Sequence, residues 1–378
     1  MKSGQSWALS PVLTRLMGTE MTNRQQFLAG LLATGLVPAP TWADVGSPAY
    51  LSAAALPDGA YVLCGISAQR SVLFQITLPA RGHAAAAHPT RPEAVAFARR
   101  PGTFAIVIDC LSGQSKATLE APEGRHFFGH GVFSSNGAWL FTTENDYDAG
   151  RGVVGVWDVS AGYKRAGEFA SGGVGPHDIK RLPGSETLVV ANGGIDTHPD
   201  SGRVKLNIAT MAPNLSYLHD GHVIEVVSLG SERHKNSIRH LDVTAAGQVA
   251  FGMQWEGDGD IDVLAGVHAL GSPVTLLRAD IAVTRDMRGY VGSIAFSPDQ
   301  GVVAVTSPRG GVVQLYDIGT ASWKQTLPAA DVGGVAALDD GFIITTGFGE
   351  LGQIAGGKLA LARVAELAWD NHIVPIGV

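Results

Sequence analysis

The chain has 378 residues, 45% hydrophobic and 16% charged, with 49 Gly and 19 Pro, which suits a large folded body and not a disordered one. A net charge of −7 with no run of Lys or Arg argues against a nucleic-acid backbone or an anionic membrane surface as partner, leaving small molecules, metals or proteins. Its two cysteines, Cys64 and Cys110, have no C-x-x-C spacing and no neighbouring His, so no thiolate metal site or redox motif is expected; a disulfide and two separate buried thiols both stay open.

The first element reads as an address. From Met21, a short polar start with Arg24 precedes an apolar run over residues 27–37 and the small-residue stretch Thr41-Trp42-Ala43, the layout of a signal peptide cleaved near Ala43. The apolar run is short for a stable membrane span; a buried helix is its alternative. Arg24-Gln25-Gln26-Phe27-Leu28 resembles the twin-arginine export motif with Gln25 in place of the second arginine, so the export route stays open. Residues 1–20 carry no such logic, and Met21 gives a conventional signal peptide by itself. The expected division is a leader over 1–43 and one domain over 44–378.

Beyond residue 48, short runs of Val, Ile, Leu, Phe and Thr alternate with Gly, Pro, Asn or Asp, a pattern of many short strands. A strand–turn–strand unit recurs: AAALPDGAYVLCGI from Ala53, PEAVAFARRPGTFAIVID from Pro92, HGVFSSNGAWLFTT from His130 and HDIKRLPGSETLVVA from His177. HLDVTAAGQVAFGM from His240, GSIAFSPDQGVVAVTS from Gly292 and GGVAALDDGFIITTG from Gly333 continue it. A spacing of roughly 40–60 residues is that of a four-stranded propeller blade, and seven blades fill the chain, giving an all-β, seven-bladed β-propeller of WD- or YVTN-repeat-like character. Two packed β-sandwiches would not explain a repeat over the whole chain. Gly129-His130 followed by Trp157-Asp158 is the one blade that matches a WD repeat well. Ring closure requires locking the last blade to the first, through the terminal stretch around Trp369 and His372 or the segment near Tyr50.

Each unit is read as innermost strand A, the A–B turn and strand B. Loops leading into strand A and loops between strands B and C share one mouth of the channel, which maps the candidate ligand-binding residues. Strand-A starts supply His88, His130, His177 with Asp178, and Arg239 with His240. The B–C side supplies Glu144, Asp146, Asn192, His198, Gln254, Arg309 and Glu350, and His372 comes from the closing stretch. His130, His177 and His240 are the candidate metal ligands, because neutral imidazole suits Fe, Cu, Zn or Ni and carboxylates complete a shell. The competing reading of His130 is the structural histidine of a WD repeat, bonded within its own blade. His219-Asp220-Gly221-His222, in a loop insertion of the blade starting at His177, reads as an exposed turn with incidental histidines, and the aspartates at 258, 260 and 262 as a solvated turn lacking the closing Glu of a calcium loop. No nucleophile elbow, H-E-x-x-H or phosphate loop is present.

The segments HPTRPEAVAFARRPGTFAIVID, GHGVFSSNGAWLFTTENDYDAGRGVVGVWD, VGPHDIKRLPGSETLVVANGGIDTHPD, NSIRHLDV and AWDNH resemble a bacterial family of exported, seven-bladed propellers related to YVTN-repeat and quinoprotein-like proteins. The resemblance implies a periplasmic binding or scaffold protein in iron or copper handling, since such genes lie beside imelysin-like and di-haem peroxidase-like iron-uptake genes. A metal- or cofactor-dependent oxidoreductase or hydrolase at the same channel face is the alternative. The family supplies no catalytic residues to carry over.

Overall fold

The computed structural model describes residues 39–98, 103–202, 204–364 and 366–377; the apolar run of the expected leader lies outside them. Seven four-stranded antiparallel sheets form, and strand A of each packs against strand A of the next until the last meets the first, a closed seven-bladed β-propeller. In blade order, strands A are Ala368–Pro375, Gly82–Ala87, Arg125–Phe133, Pro176–Arg181, Asn236–Val243, Ser293–Phe296 and Val332–Leu338.

Blade 1 closes the ring. Its strand A is the C-terminal Ala368–Pro375, paired antiparallel with Tyr50–Ala55, and the Ser52 hydroxyl donates to the His372 carbonyl at 2.8 Å. The two chain ends therefore share one sheet, which removes both free edges. This also corrects the strand register expected for two blades. The repeat from Ala53 spans strands B and C of blade 1, and the repeat from Pro92 spans Glu93–Ala98 and Phe104–Asp109, strands B and C of blade 2. The true strand A of blade 2 is Gly82–Ala87, GHAAAA, whose Ala-rich sequence lacks the β-branched residues that advertise a strand.

Apolar side chains alternate into the spaces between blades. Phe97, Phe127, Phe133, Leu140 and Trp157 join blades 2 and 3, each worth about 2–3 kcal/mol when fully buried. Trp42 belongs to such a layer: it is buried with Leu51, Leu63 and Ile108, and its indole N–H donates to the His88 carbonyl at 2.8 Å. The compact unit runs Pro40–Val378, so it includes residues the sequence assigns to the leader. The 219–222 segment is an exposed turn, as expected, but it closes the hairpin between two strands of blade 4 and is not an insertion: Asp220 and Gly221 take φ of 49° and 75°, the left-handed pair that a two-residue type I′ turn requires.

Cys64 and Cys110 are free and buried, which settles the alternative left by the sequence. Burial pushes both thiols up to about 12. A thiol-reactive reagent at neutral pH is expected to label neither cysteine in the native protein and both after denaturation; rapid native labelling would contradict this packing.

Candidate metal centre

Five strands A carry a histidine at the same level of the channel: His83, His130, His177, His240 and His372. Each lies in or beside an irregularity in the A–B pairing, between Gly82 and Ala85, Phe127 and Gly131, Pro176 and Asp178, Ile238 and His240, and opposite Ser52 and Ala54. A bulge re-aims a side chain that regular alternation would place elsewhere. Blade 6 pairs regularly, and blade 7 has Gly333-Gly334 at its irregularity, where a Cβ on Gly334 would stand 2.8 Å from the Ile373 nitrogen. Gly129 is needed beside the cluster as well. Its φ is 102°, and a Cβ there would meet the His83 ring at 2.6 Å.

Neighbouring rings stand close around the channel, with centroid separations of 5.1 Å for His83–His130, 5.2 Å for His130–His177, 4.9 Å for His177–His240, 5.2 Å for His240–His372 and 4.8 Å for His83–His372. Across it, His83–His177, His130–His240 and His130–His372 are 5.9, 6.5 and 4.8 Å apart. An ion about 2.1 Å from each nitrogen would have ring centroids about 4.5 Å apart for ligands at right angles and about 6.4 Å for opposed ones. Eight of the ten pairs fall at 4.8–6.5 Å, a spread compatible with rings gathered round a common centre. Two overlapping triads, His83-His130-His177 and His130-His240-His372, bring one ring nitrogen from each member within 4.8 Å of the others.

His130 belongs to both triads, and its chemistry limits the number of ions. Nδ1 lies 3.1 Å from the Asp178 carboxylate, so only Nε2 faces the cluster, and that atom is buried with no hydrogen-bond partner. One nitrogen serves one ion. Asp178 is fixed in turn by the backbone N–H of Leu241 at 2.9 Å and of Ile179 at 2.8 Å. Burial opposes its charge, but Lys180, His130 and Leu241 overcome that and hold the carboxyl below the usual carboxylate range. A carboxylate behind an imidazole fixes its tautomer and raises its basicity toward a metal. His130 is therefore not bonded within its own blade as in a WD repeat: its partner comes from blade 4, while Trp157 donates instead to Thr142 at 2.9 Å.

The other ring nitrogens carry the strongest signal. His177 Nδ1, His372 Nε2 and both nitrogens of His240 are buried without a partner. A neutral imidazole always has one N–H to place, so a ring with neither nitrogen bonded sits at a cost of about 1–3 kcal/mol unless a ligand takes it up. Burial lowers the pKa of His240 to about 3 and holds His177 and His372 well below the ordinary imidazole value; Arg239 adds to the effect at His177 and the other histidines at all three. These rings are neutral at pH 7, the state that binds metals.

The structure disperses the remaining candidates. His88 ends strand A of blade 2, where Nδ1 accepts the N–H groups of Thr90 and Arg91 at 3.2 and 3.0 Å; it shapes a turn and does not face the cluster. Glu144 is buried within blade 3, where it accepts a two-pronged Arg165 contact at 2.8 and 2.9 Å. Asp146 pairs with Arg151 at 2.8 Å and Arg125 at 3.4 Å. Asn192 bonds Asn214 and Ser216 inside blade 4 and Ser171 in the connection from blade 3. Arg239 lies 3.6 Å from Glu256, Gln254 donates to the Val291 carbonyl at 3.2 Å, and Arg309 stacks on Tyr290 at 4.3 Å. Asp260 and Asp262 are paired with Arg285, Arg233 and Arg278, which leaves no calcium loop. His83 joins the cluster although no strand-A start in the sequence points to it. The dipeptide Gly82-His83 echoes Gly129-His130 and was the available sign.

Among solved structures, the chain is similar to Kuenenia stuttgartiensis hydrazine synthase, with a TM-score of 0.58 at 12% identity over 85% of this chain and 97% of that one. It is also similar to a chain of a mitotic checkpoint complex, with a TM-score of 0.52 at 13% identity over 78% and 77%. At these identities the likeness is one of fold alone. No curated protein matches. Among the described residues, no helix is long and apolar enough to cross a membrane. Residues 76–376 match the model of a family described as "Protein of unknown function (DUF1513)", and the chain belongs to that family.

Proposed function

We propose that this propeller binds one transition-metal ion among His83, His130, His177, His240 and His372. The observation that carries the reading is the convergence of five imidazoles, four buried and His83 half-buried, several of the buried ones with unpartnered nitrogens, around one stretch of the channel. More than four nitrogen donors exceeds the tetrahedral preference of structural zinc and favours a five- or six-coordinate ion such as iron or copper. Holding, and not turnover, is the role that so many neutral donors support. The N-terminal sequence and the family resemblance support an exported, periplasmic protein that handles iron or copper beside imelysin-like or di-haem peroxidase-like partners. Export would then remove a leader ahead of Thr41, since Trp42 is packed in the core.

Protein purified from its native compartment is expected to contain one iron or copper per chain by mass spectrometry. The double variant His177→Gln, His240→Gln should contain none and melt no lower than the metal-free parent. A parent that takes up no iron, copper, nickel, cobalt or zinc would end this reading and leave the histidines structural.

A further inference from the structure

A cavity of about 560 Å³ begins at His130, His240 and His372 and runs along the strands A to the A–B turns, where Ser134, Thr244 and Pro298 line it. It therefore approaches the cluster from the end of the channel opposite the one the sequence indicated. The volume is that of a small-molecule site. Its walls mix apolar side chains, Ala84, Ala86, Val132, Val335 and Val374 among them, with charged and hydroxyl groups.

Four charged side chains line this cavity, Asp178, Lys180, Arg181 and Asp242, and they differ in how they are partnered. Asp178 is used by His130 and two backbone N–H groups. Asp242 accepts the Phe296 N–H at 2.7 Å. Arg181 is turned onto the carbonyls of Ser185 and Leu182. Lys180 has no hydrogen bond or ion pair among the described residues, yet it is close enough to act electrostatically on Asp178, His240, Asp242 and His372. An unpartnered ammonium beside three metal-facing imidazoles makes this end of the site attractive to negative charge.

We propose that the cavity admits a small anion, of the carboxylate or oxyanion class, to an exchangeable position on the ion facing His130, His240 and His372, with Lys180 as its counter-charge. This rests on the metal reading above and adds a ligand class and a direction of approach. The His83 and His177 side of the cluster does not line the cavity, so the anion reaches the ion from the A–B turn end.

The test loads the full-length protein with Cu(II) and titrates it with azide, an anion whose binding to copper gives a charge-transfer band. Lys180→Gln is expected to keep its copper and to bind azide about tenfold more weakly, because the lost ammonium lines the cavity without a partner of its own. Lys180→Arg should restore most of the affinity. Equal azide affinity in parent and Lys180→Gln, or no azide band on the loaded parent, would overturn the proposal while leaving the metal site intact. Loss of copper itself from Lys180→Gln would also overturn it, since Lys180 would then support the ion directly. A parent that takes up no copper or any other ion fails at the earlier step, and that failure is visible before azide is added.

Discussion

His240→Leu should abolish metal binding and, in the same molecule, stabilise the metal-free protein. Leu fills a volume close to that of the imidazole, while His240 places two buried ring nitrogens where nothing bonds them. Replacing an unsatisfied buried polar group by an apolar one removes a cost of about 1–2 kcal/mol. The ring also packs at 4.9 Å from His177 and 5.2 Å from His372, so its removal relieves two other depressed imidazoles. In the loaded protein the sign reverses. Even partners that only orient a metal ligand are worth about 10–100-fold in affinity, and a direct ligand is worth more. The melting temperature without metal should rise by a few degrees, and the rise on adding metal should vanish. A metal-free His240→Leu protein that melts well below the parent would assign His240 to packing and remove it from the site.

This opposition between local stability and function explains what the sequence made legible. The seven blades were readable because Gly, Asn and Asp punctuate alternating apolar runs, and those signals concern the fold as a whole. Strand A of blade 2 was not, because Gly82–Ala87 holds four consecutive alanines that neither alternate nor favour a strand. Its neighbour Glu93–Ala98 took its place in the reading, which moved attention from His83 to His88, at the other end of the strand. Glu144 and Asp146 were misplaced for a different reason. Sequence shows that carboxylates stand near the B–C loops but not that Arg165, Arg151 and Arg125 from the same blade occupy them. His130, His177 and His240 stand in strands A of blades 3, 4 and 5, whose apolar runs the sequence marks clearly. Their convergence to about 5 Å depends on bulges, and a bulge adds one residue with no fixed sequence mark.

Acid should act on this site before it acts on the rest of the fold. An imidazole titrates near pH 6.5 in the unfolded chain, whereas burial lowers His240 to about 3 and puts His177 and His372 well below the ordinary value. Below pH 6.5 the unfolded chain therefore binds more protons than the folded one. The stability these groups contribute is complete above 6.5 and is lost progressively as the pH falls toward 3. Asp178 has the opposite character: its carboxyl is depressed, so its contribution is lost only below about pH 4, where the unfolded carboxyl begins to protonate. The interval from 6.5 to 4 thus belongs to imidazoles. Lys180, Arg239 and Asp178 face the cluster and set its field, the two cations favouring neutral rings and the carboxylate opposing them. Each ring kept neutral to pH 4.5 costs about 3 kcal/mol relative to pH 7. For a body of this size that is about 5 °C in melting temperature. Outside the channel, His88, lowered to about 4 by burial and Arg91, adds a share of its own, so the comparison with His240→Leu isolates the cluster. Melting curves from pH 7.5 to 4.5 should fall steeply for the metal-free parent and less steeply for His240→Leu. The loaded parent should hold its melting temperature to a lower pH, because protons must displace the ion, and then drop to the metal-free curve as the ion is released. A metal-free parent with a flat profile over this range would mean that the rings are already protonated or solvated, and the cluster would not be the neutral donor set described above.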